Sequence, residues 1–193
     1  VFNIPFNGVG LEYQRQGGKV GLRAGVFYGT LKNAINYSPE DLSLASPVYR
    51  RTGWGFKLGY GTSKNYIDIY LLRAQDHQSS IDEFWWDRLI AQENIVVGVK
   101  GRWQIARPLA LTANIAASVF STDMNAQKVE TEETEKWEGI YDVRYSSLMR
   151  WAGDVNLTAN FRPISLALTY KMVQPDYMSL GVSYMSNNYH SLG

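Results

Sequence analysis

The chain has 193 residues, enough for one domain, and its formal net charge of +1 provides no field that would favour nucleic acid. It contains no cysteine, which excludes disulfide frameworks, thiolate zinc sites and cysteine nucleophiles. It contains 17 glycines and 13 tyrosines, and 13% of its residues are aromatic. Such a composition is typical of strands and turns rather than of helical bundles. The longest uncharged run between two charged residues, 108–122, is shorter than the ~20 apolar residues of a transmembrane helix. We therefore predict a single all-β domain over residues 1–193.

Eight segments alternate apolar and polar residues with the two-residue period of a half-buried β-strand. They are residues 6–15, 19–31, 52–62, 65–75, 94–106, 109–121, 150–161 and 164–174. Short turns at 16–19, 63–64, 107–108 and 162–163 alternate with long polar segments at 32–51, 76–93 and 122–148. Within the second long segment, residues 81–92 are predicted to form a short amphipathic helix. Residues 175–193 begin another loop and leave room for a ninth strand.

The alternation of short turns with long loops is typical of a transmembrane β-barrel, whose strands carry apolar residues outside and polar residues inside. The alternative is a soluble barrel or sandwich, whose outer face would carry many lysines and glutamates. Here the apolar positions are nearly free of charge at mid-strand, and aromatic residues cluster toward both strand ends, as in interfacial girdles. We predict an antiparallel up-and-down transmembrane β-barrel of about eight strands in contact with outer-membrane lipid. Its short turns would face the periplasm and its long loops the outside.

The C-terminal part of the chain resembles a known group of proteins. Residues 152–154 read AGD, and residues 166–181 read LALTYKMVQPDYMSLG. This pattern resembles a signature of large, poorly characterised outer-membrane β-barrel proteins of Bacteroidota, with close similarity over less than a quarter of the chain. The resemblance implies a Gram-negative outer membrane and supplies no catalytic residues. Two hypotheses stay open: a complete eight-strand barrel, or part of a larger barrel, which the lack of a terminal aromatic strand favours.

The parity of the strands predicts which charged residues face the lumen. These are Arg23, Lys57, Lys100, Arg102, Lys171, Glu12, Asp68 and Asp154. A slightly basic lumen would favour anions by Coulomb attraction, whereas pairing of opposite charges across the lumen would close it. Both interpretations remain open at this point.

Few residues suggest other chemistry. Asp76 and His77 have the residue types of a hydrolase but are neighbours in the sequence, which does not make a triad, and no histidine pair has metal-ligand spacing. We predict no catalytic residues, no metal and no cofactor. Aromatic and apolar side chains of the second long loop are candidates for contact with other envelope proteins: Phe84, Trp85, Trp86 and Leu89.

The predicted function is non-enzymatic: a porin-like transport barrel or a structural barrel, as a subunit of an envelope complex or alone. One alternative is a small closed barrel that acts as an adhesin or anchor through its long loops. The other is a barrel hydrolase that uses Asp76 and His77.

Overall fold

The computed structural model describes residues 7–15, 21–36, 47–137, 139–161, 163–181 and 188–193. In these ranges the chain forms nine strands: β1 (Asn7–Gln14), β2 (Gly21–Lys32), β3 (Arg50–Gly61), β4 (Tyr66–His77), β5 (Glu93–Gln104), β6 (Leu109–Ser121), β7 (Ser147–Phe161), β8 (Ile164–Val173) and β9 (Tyr189–Leu192). They pair antiparallel, each with the next along the chain, in one sheet of order β1 to β9. The predicted all-β, antiparallel, up-and-down arrangement is therefore confirmed.

Each of the eight predicted segments contains a strand, and β9 is the additional one. Alternation finds strands reliably here because every strand has one face that differs in polarity from the other. The boundaries differ by a few residues, most at β7, which begins at Ser147 rather than at residue 150. The predicted turn at 16–19 lies outside the described residues.

The predicted helix at 81–92 is wrong. The segment contains only a 3-10 turn, Glu83–Trp85, whose N-terminus is capped by the Asp82 carboxylate. The two ends of the loop meet, because the amide of Asp76 donates to the carbonyl of Gln92 at 2.9 Å. A 12-residue helix would be about 18 Å long and would carry residue 92 away from that partner. A single α-helical turn, α1 (Glu132–Glu135), lies in the third long loop.

The sheet is not closed: within the described residues β1 pairs only with β2, and β9 only with β8. It is nevertheless curved. Leu31 on β2, Ala74 on β4 and Phe120 on β6 share one buried cluster with Leu180. Side chains from strands that far apart meet only if the sheet bends toward the face on which they lie.

Burial is inverted relative to a water-soluble sheet. Residues directly opposite each other on paired strands share a face, so the register divides the sheet into two faces. The polar face contains Asp68 and Tyr70, which are only 6% and 4% exposed. The apolar face contains Ile67 and Ile69, each 44% exposed. The polar face is thus the enclosed side of the sheet, and the apolar face is the exposed side.

No helix within the described ranges is long and apolar enough to cross a membrane.

Candidate functional site

One row of residues crosses the polar face from edge to edge. The register places one residue from every strand in it, and we call this set the polar row: Gln14, Arg23, Gly59, Asp68, Lys100, Asn114, Asp154, Lys171 and Ser191. Charges of opposite sign alternate along it. Five of the eight charged residues that the sequence assigns to the lumen lie in this row. The other three, Glu12, Lys57 and Arg102, lie on the same face in the adjacent rows.

The first ion pair of the row spans an intervening strand. The Nη2 of Arg23 on β2 lies 2.7 Å from Oδ1 of Asp68 on β4, and Gly59 of β3 lies between them. A Cβ at residue 59 would be 2.1 Å from that carboxylate oxygen, so a glycine is required for the side chains to meet. The Arg23 guanidinium also lies over the Tyr66 ring, 4.9 Å from its centroid. Lys57 approaches the second Asp68 oxygen at 3.7 Å.

A second network repeats this arrangement further along the sheet. Tyr70 on β4 extends over Gly98 on β5, and its hydroxyl donates to Oδ1 of Asn114 on β6 at 2.9 Å. A Cβ at residue 98 would lie 2.1 Å from the Tyr70 ring. Asn114 in turn donates to Asp154 on β7 at 3.2 Å. Neutral and charged hydrogen bonds between side chains therefore link β4 to β7 on the polar face.

Glycines of the polar face leave space for large side chains of the neighbouring strands. Arg23, Phe27 and Tyr70 are each directly paired with a glycine, and each side chain lies over it. The sequence shows only alternating glycines, which suggest backbone room for twist, a neighbouring strand or a plug. The missed signal is the pairing itself: a large side chain opposite a glycine in the predicted register.

Three of the five cations that the sequence assigns to the lumen differ from the other two. Lys100, Arg102 and Lys171 have no carboxylate oxygen within 4.0 Å in the part of the chain that the structure describes. All three are at least partly accessible. They lie on β5 and β8, whereas the paired cations Arg23 and Lys57 lie on β2 and β3.

The segment after β8, residues 174–181, folds across the polar face at its long-loop end, and we call it the inner strap. Leu180 enters the buried cluster described above, and its amide donates to Oδ1 of Asn94 at 3.0 Å. Asn94 is fully buried and also donates to Oγ of Ser118 at 2.7 Å, and Ser118 donates to the carbonyl of Met178. Two wall residues thus bind the backbone of the strap.

The strap is fixed at its base as well. The amide of Gln174 donates to the carbonyl of Trp151 at 3.1 Å, and the Trp151 amide donates to the Gln174 side chain at 2.8 Å. Within the strap, burial raises the pKa of the Tyr177 phenol. The polar face is therefore partly covered at this end by a segment that the strand pattern does not reveal.

Protein-family models, curated proteins and solved structures give no match to this chain.

The side chains of Asp76 and His77 are directed apart. They end β4 and point to opposite faces, because successive strand residues do so. Asp76 accepts two hydrogen bonds from Arg51, at 2.8 and 2.9 Å, and a third from the Gln92 amide. His77 has its Nε2 2.6 Å from the Thr52 hydroxyl. No cluster of three metal-ligating side chains occurs in the described ranges.

The aromatic loop residues pack mainly within the protein. Trp85, Trp86 and Leu89 are partly buried against a cluster formed by Tyr49, Ile81 and Ala91. The Tyr49 hydroxyl donates to the Leu89 carbonyl at 2.8 Å, which anchors the loop. Phe84 is 36% exposed, and the Arg88 guanidinium lies over its ring at 3.9 Å. Phe84 is thus the most open of the four candidate interaction residues.

A buried polar cluster at the loop end of the apolar face escapes sequence reasoning. The Ser121 hydroxyl lies 2.6 Å from the hydroxyls of both Tyr141 and Ser147. Beside it, Glu93 accepts from Nε of Arg73 at 2.8 Å although Glu93 is only 1% exposed. Burial raises the pKa of the Tyr141 phenol, against the lowering effect of its serine hydrogen bonds. This cluster joins the third long loop to the sheet.

Proposed function

We propose that this sheet is the wall of a β-barrel in a Gram-negative outer membrane, with a non-enzymatic transport or structural role. The inverted burial is the observation that carries the proposal. Mid-strand charges lie on the enclosed face, and the opposite face presents large apolar side chains that no element among the described residues covers. They include Val9, Leu11, Val26, Leu58, Ile67, Ile69, Val99, Ile115, Leu166 and Leu168.

Lipid is the solvent that suits such a surface. Removing apolar surface from water is worth roughly 25 cal/mol per Å², so an open apolar face of nine strands is strongly unfavourable in water. Strands β2 to β6 have 12 or 13 residues, and crossing the hydrocarbon core takes about 9–11 tilted strand residues. The lengths therefore allow a complete crossing with residues to spare at each interface.

Strand direction favours a larger barrel over direct closure of this sheet. In hydrocarbon the backbone groups at the edges of β1 and β9 need partners. Eight antiparallel steps separate β1 from β9, so the two edge strands run in the same direction. A ring in which every pair is antiparallel then requires an odd number of further strands. Closure through further strands fits the hypothesis that the sheet is part of a larger barrel.

Transport or structural support suits the polar face better than hydrolysis does. The charged network and the accessible cations form a continuous hydrophilic surface across β1 to β9. The separation of Asp76 and His77 onto opposite faces leaves the hydrolase alternative without a carboxylate that orients the imidazole. The inner strap and the packed loops instead favour, as the second candidate, a barrel that presents its loops as an adhesin or anchor. Contact with other envelope proteins would use Phe84.

Membrane extraction and refolding test the proposal. We expect the native protein to stay in the membrane pellet after carbonate washing and to require detergent for release. Ile69→Arg should lower the fraction that folds into lipid vesicles, because a cation at mid-bilayer costs about 2–4 kcal/mol. Tyr145→Arg is the matched control, since Tyr145 lies in a loop and is 74% exposed. Release by carbonate alone, or equal folding of the two variants, would refute membrane insertion.

A further inference from the structure

In the middle part of the strands, the polar face carries more positive than negative charges. Five cations face three carboxylates there: Arg23, Lys57, Lys100, Arg102 and Lys171 against Glu12, Asp68 and Asp154. Nearer the loops, Arg51 and Asp76 neutralise each other in a two-bond ion pair. Among the described residues, the apolar face carries no compensating charge at mid-strand. The excess positive charge of the sheet is thus directed into the enclosed side.

The excess is also confined to one half of the sheet. On β1 to β4 two cations, Arg23 and Lys57, face two carboxylates, Glu12 and Asp68, and Asp68 contacts both cations. On the other half, Asp154 accepts from Asn114 and has no cation within 4.0 Å among the described residues. Lys100, Arg102 and Lys171 are left without a carboxylate at that distance, and we call these three residues the cationic strip. Lys100 and Arg102 lie on the same side of β5, two residues apart.

We propose that the cationic strip makes the enclosed side a path for small anions such as chloride and short carboxylates. This inference rests on the proposed barrel. Ammonium and guanidinium groups on a low-dielectric wall attract anions more strongly than the same groups on an open surface. At physiological salt the screening length is about 8 Å, so an anion that follows β5 feels Lys100 and Arg102 together. A sheet whose cations were all paired would have no such preference.

Recordings of ion selectivity in planar lipid bilayers measure the preference for anions directly. The native protein is purified from membranes in detergent, inserted, and studied under a gradient of potassium chloride. We expect a reversal potential of the sign that shows chloride permeating more than potassium, by about three-fold, which corresponds to an energy difference of about one kT between the two ions. Replacing all three strip cations, by Lys100→Gln, Arg102→Gln and Lys171→Gln together, should bring the two permeabilities close to equality. Lys128→Gln is the matched control, because Lys128 pairs with Asp142 in a loop and its loss leaves the strip unchanged.

The inner strap lies across the loop end, so the same measurement is made with Asn94→Ala, which removes a hydrogen bond that holds the strap. Potassium preference, or a chloride preference that survives loss of all three strip cations, overturns the inference. Absence of conductance in both the native protein and Asn94→Ala also overturns it. Carbonate resistance of the same samples separates the two proposals: a resistant protein without anion preference leaves the barrel standing, and a protein released by carbonate refutes both.

Discussion

Arg23 and Asp68 form an ion pair across a strand to which neither belongs, with Nη2 and Oδ1 2.7 Å apart above Gly59. The Asp68 side chain is 9% exposed and the Arg23 side chain 23%, so water screens the pair only in part. The pair links β2 to β4 independently of the backbone ladder. It therefore adds side-chain stiffness to a sheet whose backbone hydrogen bonds join only neighbouring strands.

Replacing the glycine beneath this pair should destabilise the sheet. Gly59→Ala places a Cβ 2.1 Å from the Asp68 carboxylate oxygen, and we expect a loss of about 1–3 kcal/mol as the pair shifts or breaks. Gly25→Ala is the control on the same face, because its Cβ would meet nothing closer than a carbonyl oxygen at 3.8 Å. Urea titration in lipid vesicles, with the folded fraction read from gel mobility without heating, compares them. Equal midpoints would show that Arg23 and Asp68 do not depend on Gly59.

The strands were predictable from sequence because one property, alternation, determines them. The same parity assigns Arg23, Lys100 and Lys171 to one face without knowledge of the fold. What alternation cannot give is contact between elements far apart in sequence. Leu180 of the inner strap bonds Asn94, which lies 86 residues earlier in the chain. The residues of the strap show no two-residue alternation of polarity. The failed helix at 81–92 has the same origin, since a tertiary contact between the loop ends overrides local pattern.

The strength of the Arg23–Asp68 pair can be isolated in a double-mutant cycle. Asp68→Asn should cost about 3 kcal/mol, because it leaves a largely buried guanidinium without its counter-charge. Combined with Arg23→Gln, the loss should fall short of the sum of the single losses by about 1–2 kcal/mol. Lys57→Gln provides the comparison: its side chain is 46% exposed and 3.7 Å away, so we expect an effect within about 0.5 kcal/mol. Additive losses in the cycle would show that the contact contributes nothing.

Loosening the inner strap should expose it to protease. Asn94→Ala removes the acceptor of the Leu180 amide and the donor to Ser118, which leaves buried backbone and hydroxyl groups unsatisfied. We expect cleavage within residues 174–181 by chymotrypsin in the variant and resistance in the native protein. Asn156→Ala is the matched control, since Asn156 bonds Thr169 on the neighbouring strand and does not touch the strap. Equal cleavage of both variants would mean that the strap does not depend on Asn94.

High pH should release the strap through Tyr177. Burial raises the pKa of this phenol above its ordinary value of 10.0, because the phenolate loses hydration in the fold. In the released segment the phenol ionises near its ordinary value. The stabilisation is therefore fully present below pH 10.0 and is lost as the pH rises through the pKa of the folded state. We expect proteinase K to cleave residues 174–181 increasingly above pH 10.0 in the native protein.

Tyr177→Phe keeps the apolar ring without the ionisable group, so its strap should stay resistant over the same range. The difference in phenolate absorbance between the two proteins should also appear only above the ordinary pKa. Release of both straps at the same pH would assign the effect to another group. A difference absorbance that titrates at or below pH 10.0 would show that Tyr177 is not enclosed by the strap and the sheet.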